Sequence, residues 1–199
     1  MSEKQLNNKE LLQPDNMLRM YAAGAFPMAD DKNGKVLWYF PEIRTVIPLH
    51  NYNIPRSLKK FVQTCGFEFR KDTDFSSVVK ECAGRETTWI STELIEAYLR
   101  LYKRKQIHTV EVWQNDELIG GLYGIAFRGA FFGESMFSKV SQASKAALAY
   151  LLQYLSEKDF VLLDVQYMTP HLKMFGAIEI SIQEYQDLLN TAYIRNCEF

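Results

Sequence analysis

The sequence predicts an α+β fold: a mixed sheet flanked by helices, with a small N-terminal appendage. Three observations predict it. Between residues 107 and 134, three strand-like runs follow one another across short turns, the pattern of an antiparallel meander. The Ala/Leu-rich stretch "SQASKAALAYLLQYL" then reads as a helix leading into the strand "FVLLDVQYM", so one crossover adds a parallel neighbour to that meander. Residues 1–42 stand apart, broken by Pro14, Pro27 and Pro41 and by the turn dipeptide Asn33-Gly34. The expected division is a segment at 1–42 and a larger domain at 43–199.

Each element has a local reason. "ELLQPDNMLRMYAA" reads as a short helix entered after Pro14-Asp15, with Leu18, Tyr21 and Ala22 on one face and Gly24 as its stop. Pro27, Pro41 and Pro48 bracket a hairpin turning at Asn33-Gly34. Helices follow at "RSLKKFVQ" and at "DFSSVVKECAG", the second with Asp74 as N-cap. The helix "STELIEAYLRLYKRK" has Ser91 or Thr92 as cap and Glu93 and Glu96 at its positive end. Its apolar stripe is Leu94, Ile95, Tyr98, Leu101 and Tyr102. The meander strands are "HTVEVW", "LIGGLYGIAF" and "AFFGE", turning at Asn115-Asp116 and Arg128-Gly129. Gly120, Gly121 and Gly124 inside the middle strand predict a bulge or a close backbone approach. After the crossover strand come the short helix "PHLKMF", the strand "AIEI", and a final helix opened by the capping box Ser181…Glu184. This order resembles the sheet of acetyltransferase-like (GNAT) folds near their acyl-donor site.

Composition narrows the chemistry. A chain of 199 residues that is 47 % hydrophobic can bury a core of its own. Three scattered cysteines and three dispersed histidines give neither a disulfide framework nor metal-ligand spacing, so no metal is expected. The polar opening "MSEKQLNNKELLQPDN" has no apolar signal core and no stretch reaches transmembrane length, so the expected location is the cytoplasm. With a formal net charge of −1, a nucleic-acid partner has to meet a local basic patch. "RSLKK" and the "YKRK" run with Arg100 are the candidates, and each also reads as a solvated helix face.

Asp164 and Gln166 alternate onto one face of a strand placed centrally in the sheet, where a carboxylate is costly unless paired or wet. They form either a solvated strand end or loop anchor, or the polar floor of a cleft. Glu134 lies in the strand-to-helix turn beside that strand's end, where ligands of parallel strands bind. Two carboxyls and an amide suit a cationic amine better than a phosphate. The turn "GESMFSKVSQASK" lacks the glycines that would let backbone N–H groups approach a pyrophosphate, which argues against an acyl-CoA donor. Trp89, just before a helix, closes the core or stacks on a base.

The motifs "TTWIS", "ELIGGLYG", "FFGESMFS", "ASKAAL", "LLDVQ" and "GAIEI", preceded by "YAAGAFPMAD", "WYFPEIRTVIPL" and "RSLKK", resemble in order and spacing those of bacterial leucyl/phenylalanyl-tRNA–protein transferases. The likeness runs from about residue 17 to about residue 188, with Met28 in "FPM" where many members have Trp. The resemblance implies a GNAT-like enzyme without cofactor or metal, acting on two partners, aminoacyl-tRNA and proteins with N-terminal Arg or Lys. It would move Leu, or Phe or Met, onto those N-termini and so mark the proteins for degradation. By motif, Asp164, Gln166 and Glu134 match the catalytic set, Trp89 the indole that stacks on the terminal adenine, and Leu122, Phe131 and Leu151 the apolar aminoacyl pocket. Arg56, Lys59, Lys60, Arg100, Lys103, Arg104 and Lys105 would form the tRNA-binding patch of an expected monomer. Two readings compete with this one: an acyl-CoA transferase, and a non-catalytic RNA- or peptide-binding module.

Overall fold

The structure, a computed structural model, describes residues 7–30, 34–85 and 88–199. Its first half runs α1 Asn8–Leu11, α2 Pro14–Ala22, β1 Phe26–Ala29, β2 Val36–Tyr39, β3 Ile43–Ile47, α3 Arg56–Val62, β4 Glu68–Lys71, α4 Phe75–Ala83 and α5 Thr92–Lys103. Its second half runs β5 Ile107–Gln114, β6 Glu117–Phe127, β7 Ala130–Ser138, α6 Ala143–Glu157, β8 Leu162–Gln166, α7 Pro170–Met174, β9 Ile178–Ser181 and α8 Ile182–Tyr193.

Local chemistry starts these helices where the sequence says it should. Asp74 caps α4, Ser91 caps α5, and Ser181 with Glu184 forms the capping box of α8. Pro14 opens α2, and Gly24 follows it at a φ of 89° that suits glycine. A second capping box, Asn7 with Glu10, makes the single turn of α1, a helix that the sequence does not predict. β1 and β2 pair as the expected hairpin, while Asn33 of its turn lies outside the described residues.

The large sheet has seven strands in the order β4-β5-β6-β7-β8-β3-β9. β5, β6 and β7 form the expected meander, and Asn115 and Asp116 both take positive φ (51° and 59°) in the turn that joins the first two. β7 and β8 form the expected parallel pair. The α+β class, with a mixed sheet flanked by helices, is therefore as predicted. Two strands escaped the sequence reading: the short, half-exposed β4, and β3, which leaves the N-terminal hairpin to sit between β8 and β9.

Two apolar cores sandwich the sheet. One gathers α2, α4, α5 and α8; the other gathers α3, α6 and α7. Gly120 and Gly124 hold the layers close: a Cβ at Gly120 would sit 2.5 Å from Cβ of Ala143 on α6, and one at Gly124 would sit 2.3 Å from the Phe131 ring. Both readings of the β6 glycines hold, because the β6–β7 register also slips between Tyr123 and Gly124.

Candidate active site

The slip is a β-bulge with a chemical outcome. Tyr123 pairs with Ser135 and Gly124 with Gly133, so Glu134 is the extra residue. Ser135 points to the same face as its cross-strand partner Tyr123, and Glu134 reaches Tyr21 of α2 and Tyr98 of α5. Two successive polar side chains thus face the α2/α4/α5 layer, which strict alternation would forbid.

Tyr21 and Tyr98 donate to the two carboxylate oxygens of Glu134 at 2.8 and 2.7 Å. Burial lifts the Glu134 carboxyl to about 7 against the pull of those two phenols. A carboxyl so tuned exchanges its proton near neutrality.

Beside it the sheet forks. β7 and β8 stay in register through Phe132 and Asp164 and then part. Gln166, the last residue of β8, takes a φ of 60°, and its Nε2 spans the gap to the Gly133 carbonyl at 2.6 Å. Its Oε1 accepts no hydrogen bond from the described residues.

Asp164 is fully buried beneath the fork. Arg44 of β3 donates Nε to both its oxygens at 3.1 Å and Nη2 to Oδ2 at 2.6 Å. Tyr185 donates to Oδ2 at 2.6 Å, and the Gln166 backbone N–H donates to Oδ1 at 2.9 Å. Arg44 lies between the Phe26 and Tyr185 rings, 4.5 and 4.8 Å from their centroids, and spends Nη1 on the Gly24 carbonyl at 2.7 Å. A fully paired ion pair of this kind serves geometry more than stability.

A cavity of about 350 Å³ opens in the fork. Leu122, Met136, Leu148, Leu151 and Leu163 line its α6 side; Trp89, Tyr123, Glu134, Ser135 and Arg85 line the other, with Gln166 between. Grooves of about 360 Å³ by α4 and α5 and about 450 Å³ beside α8 contain no buried carboxylate among the described residues of their walls. Ser138 Oγ accepts from the Ser144 backbone N–H at 3.1 Å, so the first turn of α6 spends one of its free donors within the chain.

The structure thus brings Glu134, Gln166, Trp89, Leu122 and Leu151 onto one cavity. Asp164 lies under that wall and touches Gln166 through its backbone. Their side chains part because Gln166, at positive φ, is the centre of a three-residue turn in which the Tyr167 N–H donates to the Val165 carbonyl at 2.8 Å, and that turn ends the alternation. Phe131 is buried behind the wall, stacked on Phe199 with centroids 5.3 Å apart. The basic residues are separated. Arg56, Lys59 and Lys60 stand exposed on α3, on the α6 face of the sheet. Arg100, Lys103, Arg104 and Lys105 sit at the end of α5 on the opposite face, where Arg100 donates to the Leu12 carbonyl and Arg104 pairs with Asp15 at 2.8 Å.

The sequence reading missed Arg44, Tyr21, Tyr98, Tyr185 and Arg85. A signal for the first existed: a buried strand carboxylate demands a cation, and "IRTVI" sets an arginine inside an apolar run.

The profile of the leucyl/phenylalanyl-tRNA protein transferase family matches residues 46–190, and that of the family's N-terminal domain matches residues 10–42. The leucyl/phenylalanyl-tRNA–protein transferase of Salinibacter ruber is 44 % identical over 178 residues, 89 % of this chain and 79 % of that protein. That of Chlorobaculum parvum is 44 % identical over 193 residues, 95 % of this chain and 100 % of that protein. Among solved structures, L-PGS from Bacillus licheniformis superposes with a TM-score of 0.46 and 13 % identity over 75 % of this chain and 56 % of that one.

Proposed function

This chain belongs to the leucyl/phenylalanyl-tRNA–protein transferase family, and we propose that its fork cavity moves an aminoacyl group from tRNA to the N-terminus of a protein. The observation that supports this reading is the division of the cavity into an aliphatic half and a polar half, with the Gln166 amide between them, its Nε2 donating to the Gly133 carbonyl and its Oε1 without a partner among the described residues.

The donor's ester is already activated, so the chain's tasks are positioning and proton removal. The leucyl or phenylalanyl side chain enters the aliphatic half, against Leu122 and Leu151; Phe131 backs that wall. The terminal nucleoside stacks on Trp89. The acceptor's α-amine offers an N–H to Gln166 Oε1, which aims its lone pair at the ester carbonyl carbon. The C–N bond forms, the ribose oxygen leaves with the electron pair of the broken C–O bond, and it takes up the proton the amine loses.

Asp164 is a positioning residue that holds Gln166 through its backbone N–H, with Arg44 holding Asp164 in turn. Glu134 meets the acceptor's cationic Arg or Lys side chain. Its carboxyl near 7 lies close to a free α-ammonium at roughly 7.7–8.0, so the two groups lose protons over the same range. No metal or cofactor enters this scheme.

Arg56, Lys59 and Lys60 on α3 supply the phosphate contacts, being exposed on the face that holds the aliphatic half. In the α5 cluster Arg100 and Arg104 are tied to Leu12 and Asp15, so it contributes less. Residues 1–42 act as a unit that closes the site from the α2 side, and the protein works as a cytoplasmic monomer. Among the described residues no helix is long and apolar enough to cross a membrane.

The test is transfer of labelled leucine from Leu-tRNA to peptides that differ only in beginning with Arg, Lys or Ala. Label on the first two and not on the third is the expected result. Label on none of them, with Leu-, Phe- or Met-tRNA as donor, overturns the proposal.

A further inference from the structure

Tyr123 is fully buried, yet its hydroxyl has no hydrogen-bond partner among the described residues. Buried hydroxyls are paired in the great majority of folded proteins, and an unpaired one weakens the fold. Its ring is held edge-on against Tyr98 and Phe75, with centroids 5.5 and 6.2 Å apart. The neighbouring phenols, Tyr21 and Tyr98, are both committed to Glu134. Tyr123 alone of this trio keeps an unspent O–H, and it lines the fork cavity.

Its position on β6 says which part of a ligand it meets. Leu122 and Tyr123 are successive strand residues and point to opposite faces. Leu122 belongs to the aliphatic half; Tyr123 stands with Trp89, Arg85 and Ser135 on the polar half. We propose that Tyr123 is a specificity residue for the donor: its hydroxyl donates a hydrogen bond to a lone pair on the terminal nucleoside that stacks on Trp89. The inference rests on the transferase reading. Burial, followed by the neighbouring Cys82 and Glu134, pushes the phenol well above its ordinary range, so it remains an O–H donor at every working pH. An unsatisfied hydroxyl kept inside the core is then a fold defect that the bound nucleoside repairs.

Tyr123→Phe separates this role from a structural one, because the two make opposite predictions. In the full-length protein the melting temperature stays level or rises. The kcat/KM for Leu-tRNA falls about tenfold, with the loss in KM for tRNA and none in KM for the Arg peptide. The partner atom is found with Leu-tRNA whose terminal adenosine has N1, N3 or N7 replaced by C–H, or lacks the 2′-hydroxyl. Wild type loses a similar factor with one of these donors, and Tyr123→Phe is indifferent to that same one.

An unchanged kcat/KM in Tyr123→Phe overturns the proposal. So does a loss that couples to none of the four donors, or one accompanied by a lowered melting temperature. Wild-type transfer to the Arg peptide is the control: its absence counts against the transferase reading, whereas its presence with an unaffected Tyr123→Phe counts against this inference alone.

Discussion

Glu111 on β5 and Glu134 on β7 are both carboxylates sunk in the same sheet, and Glu134 borders the fork cavity. Glu111 is closed by its own neighbourhood. It accepts from the backbone N–H groups of Thr73 and Asp74 at 2.9 and 2.8 Å, from Thr109 Oγ1 at 2.7 Å, from Trp113 Nε1 at 3.1 Å, and from the Thr73 hydroxyl. It pins the turn after β4 to the sheet. Glu134 has two phenols, a cavity on its open side, and Tyr123 nearby with its hydroxyl unspent. Burial of a charge in a strand marks an anchor. Incomplete satisfaction next to open volume marks a place for a ligand.

The hardest test of that contrast removes the carboxylate on which the fork is mounted. Asp164→Ala leaves Arg44 buried and unpaired, which is expected to cost roughly 3–5 kcal/mol in urea unfolding. Transfer is lost in the protein that remains folded, and full single-turnover activity there would refute the positioning role of Asp164. Glu111→Ala is the matched control: about 3 kcal/mol of stability is lost through orphaned donors, while kcat and KM of the folded protein hold. A selective loss of transfer in that variant would erase the distinction between the two regions.

Glu134→Gln shows the opposite sign. The native Glu134 keeps its proton up to about pH 7, whereas the unfolded chain releases it near 4.5. The native state is therefore penalised progressively as pH rises from 4.5 towards 7, by on the order of 3 kcal/mol above that window. The amide removes the penalty, so Glu134→Gln is more stable than wild type at pH 8 and equal to it at pH 4. Its transfer rate loses any titration step near 7. Leu122→Ala is the mildest change: it shifts the ratio of kcat/KM for Leu-tRNA and Phe-tRNA by about tenfold or less, as expected of an aliphatic wall.

What the sequence could show follows from the range of the forces involved. Caps, tight turns and the meander depend on residues a few positions apart, and Asp74, Ser91, Asn115 and Ser181 declare them. The glycines of β6 announce a close approach, because a Cβ at Gly120 or Gly124 would collide with Ala143 or Phe131. Nothing local says that β3 will pair with β8 and β9, so the arginine in "IRTVI" stands out as a cation in an apolar run without its pairing with Asp164 being fixed. The tight turn at Gln166 is equally silent, since glutamine has no particular preference for a positive φ. For the same reason the two basic clusters look like one surface in sequence and lie on opposite faces in space. Among the pocket residues, Leu122 and Leu151 reach the cavity by β6 alternation and by the face α6 turns to the sheet. Phe131 shares the aliphatic side but lies where β7 and β8 are still paired, and the fork opens only beyond it.

The slot taken by β3 has a consequence in time. This strand is made early, at residues 43–47, but both of its sheet neighbours, at 162–166 and 178–181, are made late. As the chain leaves the ribosome, Arg44 emerges more than a hundred residues before the carboxylate that neutralises it. Contacts so distant in sequence form slowly, because a long loop must close before they repay its entropy. The meander β5–β7 can assemble while synthesis continues; the fork cannot. The fork is therefore completed only when residues 162–181 close around the strand made at 43–47.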